Sequence, residues 1–283
     1  MVKEYVYSPH YDFYINKVHR TTHYNMSSFH LHNKYEIYYL VEGTRRYFID
    51  DATYLVHAGD VVLLDKGEVH KTGPVDKEPH TRFVLNFNAE YISSVWGEET
   101  VNSLLSFFGL GVKVLTLSIK LQCCTESILQ KMFDISGSNT QESELMRKSL
   151  LTELLVSMKQ CVAEQRKEAG QPEQITNKTV EKVSAYIAQN FREQLSLNSI
   201  AAQFYISPYY LSHLFKKCTG LSVLEYINSV RIRAAKQYLE TTRLKITEIT
   251  DMTGFCTGSH FGRVFKQGTG LSPNQYRKYY YKG

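Results

Sequence analysis

Residues 197–222, LNSIAAQFYISPYYLSHLFKKCTGLS, and residues 246–272, ITEITDMTGFCTGSHFGRVFKQGTGLS, are two copies of one unit. Ile200 aligns with Ile249 at an offset of 49, while Phe215, Lys216, Thr219, Gly220, Leu221 and Ser222 align with Phe265, Lys266, Thr269, Gly270, Leu271 and Ser272 at an offset of 50. One extra residue therefore sits in the second copy's turn. Each copy reads as a short helix (Leu197–Phe204; Ile246–Met252), a turn, and a second helix (Ser207–Lys217; Gly258–Lys266) closed by glycine, which is the layout of a helix-turn-helix. In the second helices Leu211, Leu214 and Phe215, and Phe261, Val264 and Phe265, fall at i, i+3, i+4 and make one buried stripe. The opposite face carries Pro208, Tyr209, Ser212, His213 and Lys216 in one copy and Gly258, Ser259, Gly262, Arg263 and Lys266 in the other. Such groups reach base edges or phosphates from a helix in the major groove. Ser207, the cap before Pro208, and His260 join the candidate DNA contacts.

Between the copies, residues 223–242 (VLEYINSVRIRAAKQYLETT) form a helix of about five turns. Leu224, Ile227, Val230, Ala234, Ala235 and Leu239 make one apolar face that holds the two units in a fixed relation. Two recognition helices on one side of the duplex then meet major-groove segments roughly 10 bp apart. Together, SIAAQFYISPYYLSHLFKKCTGLS, VRIRAAKQYLETT and ITEITDMTGFCTGSHFGRVFKQGTGLSPNQYRK resemble the DNA-binding domain of the AraC/XylS family of bacterial transcription regulators, over about the last 105 residues. Thr250 stands where that family usually has Ala. Gly258 and Gly262 leave Arg263 and His260 as the base readers of the second unit, with Lys266 on phosphate.

Charge follows the same division. Residues 171–283 hold 15 Lys and Arg against 7 Asp and Glu, and the remainder holds 18 against 21. A basic module beside a mildly acidic one suits nucleic-acid binding coupled to another task, although a solvated surface carries such an excess too. The stretch 164–178, EQRKEAGQPEQITNK, is polar and largely without periodicity. The expected organisation is α+β: a cupin-like effector-binding and dimerisation domain at 1–165, a linker at 166–178, and the tandem helix-turn-helix domain at 179–283. No run reaches the ~18 apolar residues of a membrane span, and MVKEYVYSPH lacks the pattern of a secretory signal, so a cytoplasmic protein is expected. Cys123, Cys124, Cys161, Cys218 and Cys256 are an odd set without CxxC spacing and read as reduced core thiols.

Strand-like runs at Tyr35–Val41, Arg45–Asp50, Val61–Leu64 and Arg82–Phe87 imply a small barrel or sandwich. Within it His30, His32, Glu36 and Gly43, then Gly59, Gly67 and His70, resemble the two motifs of the cupin barrel, with Asp65 where Pro is usual and no Asn at the usual distance after His70. His30 and His32 share a strand face; with Glu36 and His70 they form a set able to hold Zn, Mn or Fe(II). The resemblance implies instead an organic effector pocket without a catalytic metal or cofactor, its hydroxyls bound by the same side chains. Tyr38 either stacks on a sugar face or is core, and Arg82 either binds an effector carboxylate or phosphate or is exposed charge. Two helices follow over 120–165, joined at 136–139. Leu150, Leu151, Leu154, Leu155, Met158 and Val162 form a stripe that covers the chain's own barrel or a second copy.

The resemblance implies a non-enzymatic, ligand-responsive regulator, an activator of carbohydrate-utilisation genes. Its partners would be promoter double-stranded DNA, a sugar-like effector, RNA polymerase and a second copy of itself. A cupin-type metal-dependent enzyme with an accessory basic domain, and a constitutive DNA-binding protein whose barrel only dimerises, are the rival readings.

Overall fold

Alternating residues build the N-terminal half of the chain. The computed structural model describes residues 12–21, 32–50, 52–75, 78–167 and 177–281. Strands β1 (Phe13–Arg20), β2 (Tyr35–Glu42), β3 (Thr44–Ile49), β4 (Ala52–His57), β5 (Asp60–Leu64), β6 (His70–Pro74) and β7 (His80–Phe87) precede helices α1 (Ala89–Trp96) and α2 (Glu98–Leu105) and the short strand β8 (Val114–Thr116). Two sheets face each other, ordered β1-β7-β2-β5-β8 and β4-β3-β6. Because side chains alternate, Tyr38, Leu40, Tyr47, Ile49, Tyr54, Val56, Val62 and Leu64 fill the space between the sheets. Ile37, Tyr39, Phe83, Leu85 and Phe87 leave the larger sheet on its other side.

That outer side is apolar and needs cover, which comes from α3 (Ile119–Asp134) and α4 (Gln141–Lys167). All six residues of the α4 stripe, from Leu150 to Val162, join the cluster over the sheet. The stripe is thus spent on the chain's own domain and is not a surface for a second copy. On α3 the inward positions are Thr125, Ile128, Leu129 and Met132, which turns Cys123 and Cys124 to solvent. Cys256 is exposed as well. The cysteines are free thiols, but only Cys218 is fully buried, so the expectation of core thiols is corrected.

The C-terminal half is helical: α5 (Lys178–Asn190), α6 (Leu197–Gln203), α7 (Pro208–Thr219), α8 (Val223–Thr241), α9 (Ile246–Met252), α10 (Gly258–Thr269) and α11 (Pro273–Tyr280). The repeated TGLS is a paired stop and start. Thr219 Oγ donates to the Phe215 carbonyl at 2.7 Å and accepts from Leu221 N at 3.1 Å, and Thr269 does the same with Phe265 at 2.8 Å and Leu271 at 3.2 Å. Left-handed Gly220 and Gly270 end α7 and α10. Ser222 and Ser272 then cap α8 and α11, each within a reciprocal capping box.

Helix α8 departs from the single-face expectation. Val223, Tyr226, Ile227 and Val230 are buried along one stripe, whereas Ile232, Ala235 and Leu239 are buried along another, and Leu224 is 60% exposed. The reason is that α8 serves two units. Tyr226 meets Phe215 of the first at 5.4 Å between ring centroids, while Glu240 accepts the Tyr276 hydroxyl of α11 at 2.6 Å. At 100° per residue these stripes lie on different sides of the helix, and Leu224 falls between them. Arg231, 5% exposed, fastens α8 to the end of α5 by donating to the Phe191 and Glu193 carbonyls at 2.8 and 2.7 Å.

The two turns differ at one equivalent position. Tyr205 has φ +54° and Gly254 φ +78°, and a Cβ on Gly254 would lie 2.6 Å from the Phe191 carbonyl oxygen. Gly254→Ala is expected to cost about 2 kcal/mol or more in urea unfolding of the full chain, and Tyr205→Gly less than about 1 kcal/mol. Equal costs at the two positions would refute the steric origin of the difference.

Candidate functional site

The recognition helices present the residues that their spacing picks out. Ser207 and Thr257 accept from the Tyr210 and His260 backbone amides at 3.1 Å each, so α7 and α10 begin with matched caps. Leu211 and Phe215 beneath α7, and Phe261, Val264 and Phe265 beneath α10, are buried, with Leu214 half-buried. Ser207, Pro208, Tyr209, His213, Lys216, Ser259, Arg263 and Lys266 are exposed, and Ser212 and His260 half-buried. His260 leans edge-on against Phe255 at 5.6 Å, which fixes its ring at the base of α10. Tyr205 and Tyr210, not singled out by sequence, add further exposed aromatic surface to the first unit, at 97% and 52%. Their signal was the run of tyrosines around the turn.

Inside the sandwich, His32, Glu36 and His70 converge, and His30 lies outside the described residues. His32 Nε2 stands 2.9 Å and His70 Nε2 3.8 Å from Glu36 Oε2, and one donor atom from each residue lies within 4.8 Å of the others. The Nδ1 atoms of His32 and His70 donate to the Lys34 and Glu68 carbonyls at 3.0 Å, which fixes both rings. Two partners that sequence reading missed complete the cluster: Asn86 donates to Glu36 Oε2 at 2.8 Å and Tyr47 to Oε1 at 3.0 Å. Asn86 comes from the strand opposite Glu36 in register, a pairing invisible before β2 and β7 are aligned. Such a cluster is able to exchange hydrogen bonds with ligand hydroxyls or to bring two imidazoles and a carboxylate to one divalent cation.

Tyr38 is fully buried, edge-on to Tyr47 at 5.0 Å, with the Arg82 guanidinium carbon 5.6 Å from its ring centroid. Arg82 is therefore half-buried over an aromatic ring rather than simply exposed. Along the same inner face lie Arg45 and His80, each 2% exposed. Burial, and then the Arg45, Arg82 and Arg20 guanidiniums, push the His80 imidazole down to about 4.

The outer faces of β3 and β6 touch the helical half. Phe48 packs edge-on to Tyr226 at 5.9 Å, and Phe48 and Val69 join the helical core. Lys71 pairs with Glu225 at 3.4 Å and Asp50 with Arg233 at 2.8 Å. A cleft of about 180 Å³ remains between the halves, lined by Arg46, Phe48 and Lys71 on one side and Lys216, Thr219 and Gly220 on the other. Tyr47 and His70 face the Glu36 cluster while their neighbours Phe48 and Lys71 face α8, so adjacent residues of two strands join that cluster to the helices.

Two family models match the chain, one described as an AraC-like ligand binding domain over residues 16–155 and one as a helix-turn-helix domain over residues 200–279. Over 101 residues it is 39% identical to the uncharacterized HTH-type transcriptional regulator YijO of Escherichia coli K12, which is 36% of each chain. It is 26% identical over 257 residues to YdiP of the same organism, another uncharacterized HTH-type transcriptional regulator, covering 89% of this chain and 81% of that one. The arabinose operon regulatory protein of Escherichia coli K12 is 27% identical over 225 residues, 79% of this chain and 73% of that one.

A histidine whose folded-state value lies below its unfolded one favours unfolding as pH falls between the two. For His80 that window runs from about 6.5 down to about 4. Wild-type stability is expected to fall on acidification across it by on the order of 1.4 kcal/mol per pH unit more than that of His80→Asn. Urea midpoints of both proteins at pH 7.0, 6.0 and 5.0 measure this, and parallel pH profiles would show that His80 is not buried in neutral form.

Proposed function

Since the chain belongs to the AraC/XylS family of helix-turn-helix transcription regulators, we propose that it binds promoter double-stranded DNA through α7 and α10 and activates carbohydrate-utilisation genes in response to a small molecule held in the barrel. The observation that carries this is the duplicated recognition helix. Two helices with matched caps and glycine ends hide the same apolar positions and offer Tyr209, Ser212, His213 and Lys216, or Ser259, His260, Arg263 and Lys266, on the other side. In this reading His213, Arg263 and His260 read bases, and Lys216 and Lys266 hold phosphates.

The effector is a sugar or sugar derivative bound by His32, Glu36, Tyr38, His70 and Arg82, with Asn86 and Tyr47 as further walls. The likeness to an arabinose operon regulatory protein supports that class. Occupancy shifts the population of arrangements at the contact between β3, β6 and α8, and with it the fit to DNA and to RNA polymerase. The protein acts in the cytoplasm as a homodimer that pairs through surfaces other than the α4 stripe. The His32, Glu36 and His70 cluster is also what a metal-dependent enzyme would use. Turnover of a small substrate that depends on Zn, Mn or Fe and is lost with His32→Ala would replace the regulator reading.

A footprint on the chain's own upstream DNA, repeated with a panel of sugars, tests the regulator reading directly. His213→Ala and Arg263→Ala are expected to weaken that site by about 5- to 150-fold while leaving random-sequence competition nearly unchanged. Lys216→Ala and Lys266→Ala are expected to weaken both alike and to reduce the salt slope by about one each. An equal loss of specific and random binding on replacing His213 or Arg263 would remove them as base readers.

A further inference from the structure

One end of the barrel interior gathers positive charge around Arg82. Arg82 makes no ion pair among the described residues, and its Nε is buried with no hydrogen-bond partner. His80 Nε2 is buried in the same way. Arg45, 2% exposed, donates through Nε to Thr72 at 3.4 Å. The carboxylates of Glu36 and Glu42 are already engaged. Glu36 accepts from Tyr47 on one oxygen and from Asn86 on the other, and Glu42 accepts from Thr81, which points to the opposite face of β7 from Arg82. Burying a guanidinium nitrogen without a partner is costly, and the planar fork of the group matches a carboxylate or phosphate.

Among the described residues the place is also reachable. β1 pairs only with β7, and β6 only with β3, among the described residues, so the sandwich is unpaired between β1 and β6. Asn16, Arg82 and Val84, on the inner face of that side, are half-buried, whereas Tyr38, Tyr47 and Arg45 deeper in are sealed. Tyr38, beneath the Arg82 guanidinium, lies two residues from Glu36 on one strand face, about 7 Å along the strand.

We propose that Arg82, Arg45 and His80 form a subsite for the carboxylate or phosphate of an acidic, sugar-sized effector, whose hydroxyls reach Glu36, Asn86 and Tyr47. The inference rests on the reading of the barrel interior as the effector pocket and adds the charge class of what enters it. Arg82 supplies the fork, and neutral His80 supplies an N–H that needs no counter-charge of its own.

The test uses the full chain at constant ionic strength, with chloride as the reference anion and acetate, inorganic phosphate, glucuronate, glucose 6-phosphate and glucose as probes. Thermal midpoint and calorimetric titration are read for wild type, Arg82→Met, and Arg192→Gln as a control at an exposed arginine. Saturable stabilisation of wild type by at least one anion, weakened tenfold or more in Arg82→Met and unchanged in Arg192→Gln, is expected. A preference for glucuronate or for glucose 6-phosphate supports the subsite either way and assigns its anion. Without added anion, Arg82→Met is expected to melt at or above the wild-type midpoint, and a large fall would make Arg82 a structural residue and overturn the proposal. So would an equal response of wild type and Arg82→Met to every anion, or the absence of any response in wild type. Glucose binding that is indifferent to Arg82→Met would keep the effector pocket and remove only the anionic subsite.

Discussion

Helix α8 has to complete two hydrophobic cores at once, and the geometry of the helical half follows from how it does so. Neither trihelical unit can bury its recognition helix alone. Phe215 leans on Tyr226 in the first half of α8, and the second unit packs along its other end. A single amphipathic face would serve one unit and strand the other. The buried stripe therefore turns partway along the helix, and Arg231, bound to two carbonyls at the end of α5, holds it in register. Two rigid blocks on one rod are what allow paired readers to keep a constant separation on a duplex.

The barrel meets this rod through the backs of the strands that carry Tyr47 and His70. Alternation makes the connection short: Tyr47 and His70 look inward at Glu36, and the next residues, Phe48 and Lys71, look outward at α8. A change in the inward set would act on strands rather than loops, and close-packed interiors have low compressibility and transmit strain. The charges at the contact, Asp50 to Arg233 and Lys71 to Glu225, have opposite polarity in the two directions. A register slip between the halves would place like charges together.

Much of the helical half was legible because each device sits within a few residues of sequence. Caps, the threonine that closes α7 and α10, and the apolar stripe beneath Phe215 and Phe265 are local, and repetition displayed them twice. The fate of Leu224 was not legible, since it depends on which neighbours approach α8 from two sides. The barrel was half legible. Strands β2, β3, β5 and β7 carry alternating apolar runs, whereas β1, β4, β6 and β8 mix polar and short segments. His32, Glu36 and His70 were readable from spacing, but Asn86, Tyr47 and His80 entered through cross-strand register and sheet-to-sheet facing, which a linear sequence does not display.

Glu225 holds the first turn of α8 through the Ser222 amide at 2.7 Å and also meets Lys71 of β6. The barrel thus holds the rod from its tip at Glu225 to Arg233 near its middle. Nineteen residues make α8 about 28 Å long, so a tilt of about 3° moves one end of the rod by about 1.5 Å relative to the other. A signal of this kind would leave the chemistry of both reading surfaces untouched and alter only their phase along the double helix. Operators would then be sorted by the spacing of their half-sites as much as by their bases.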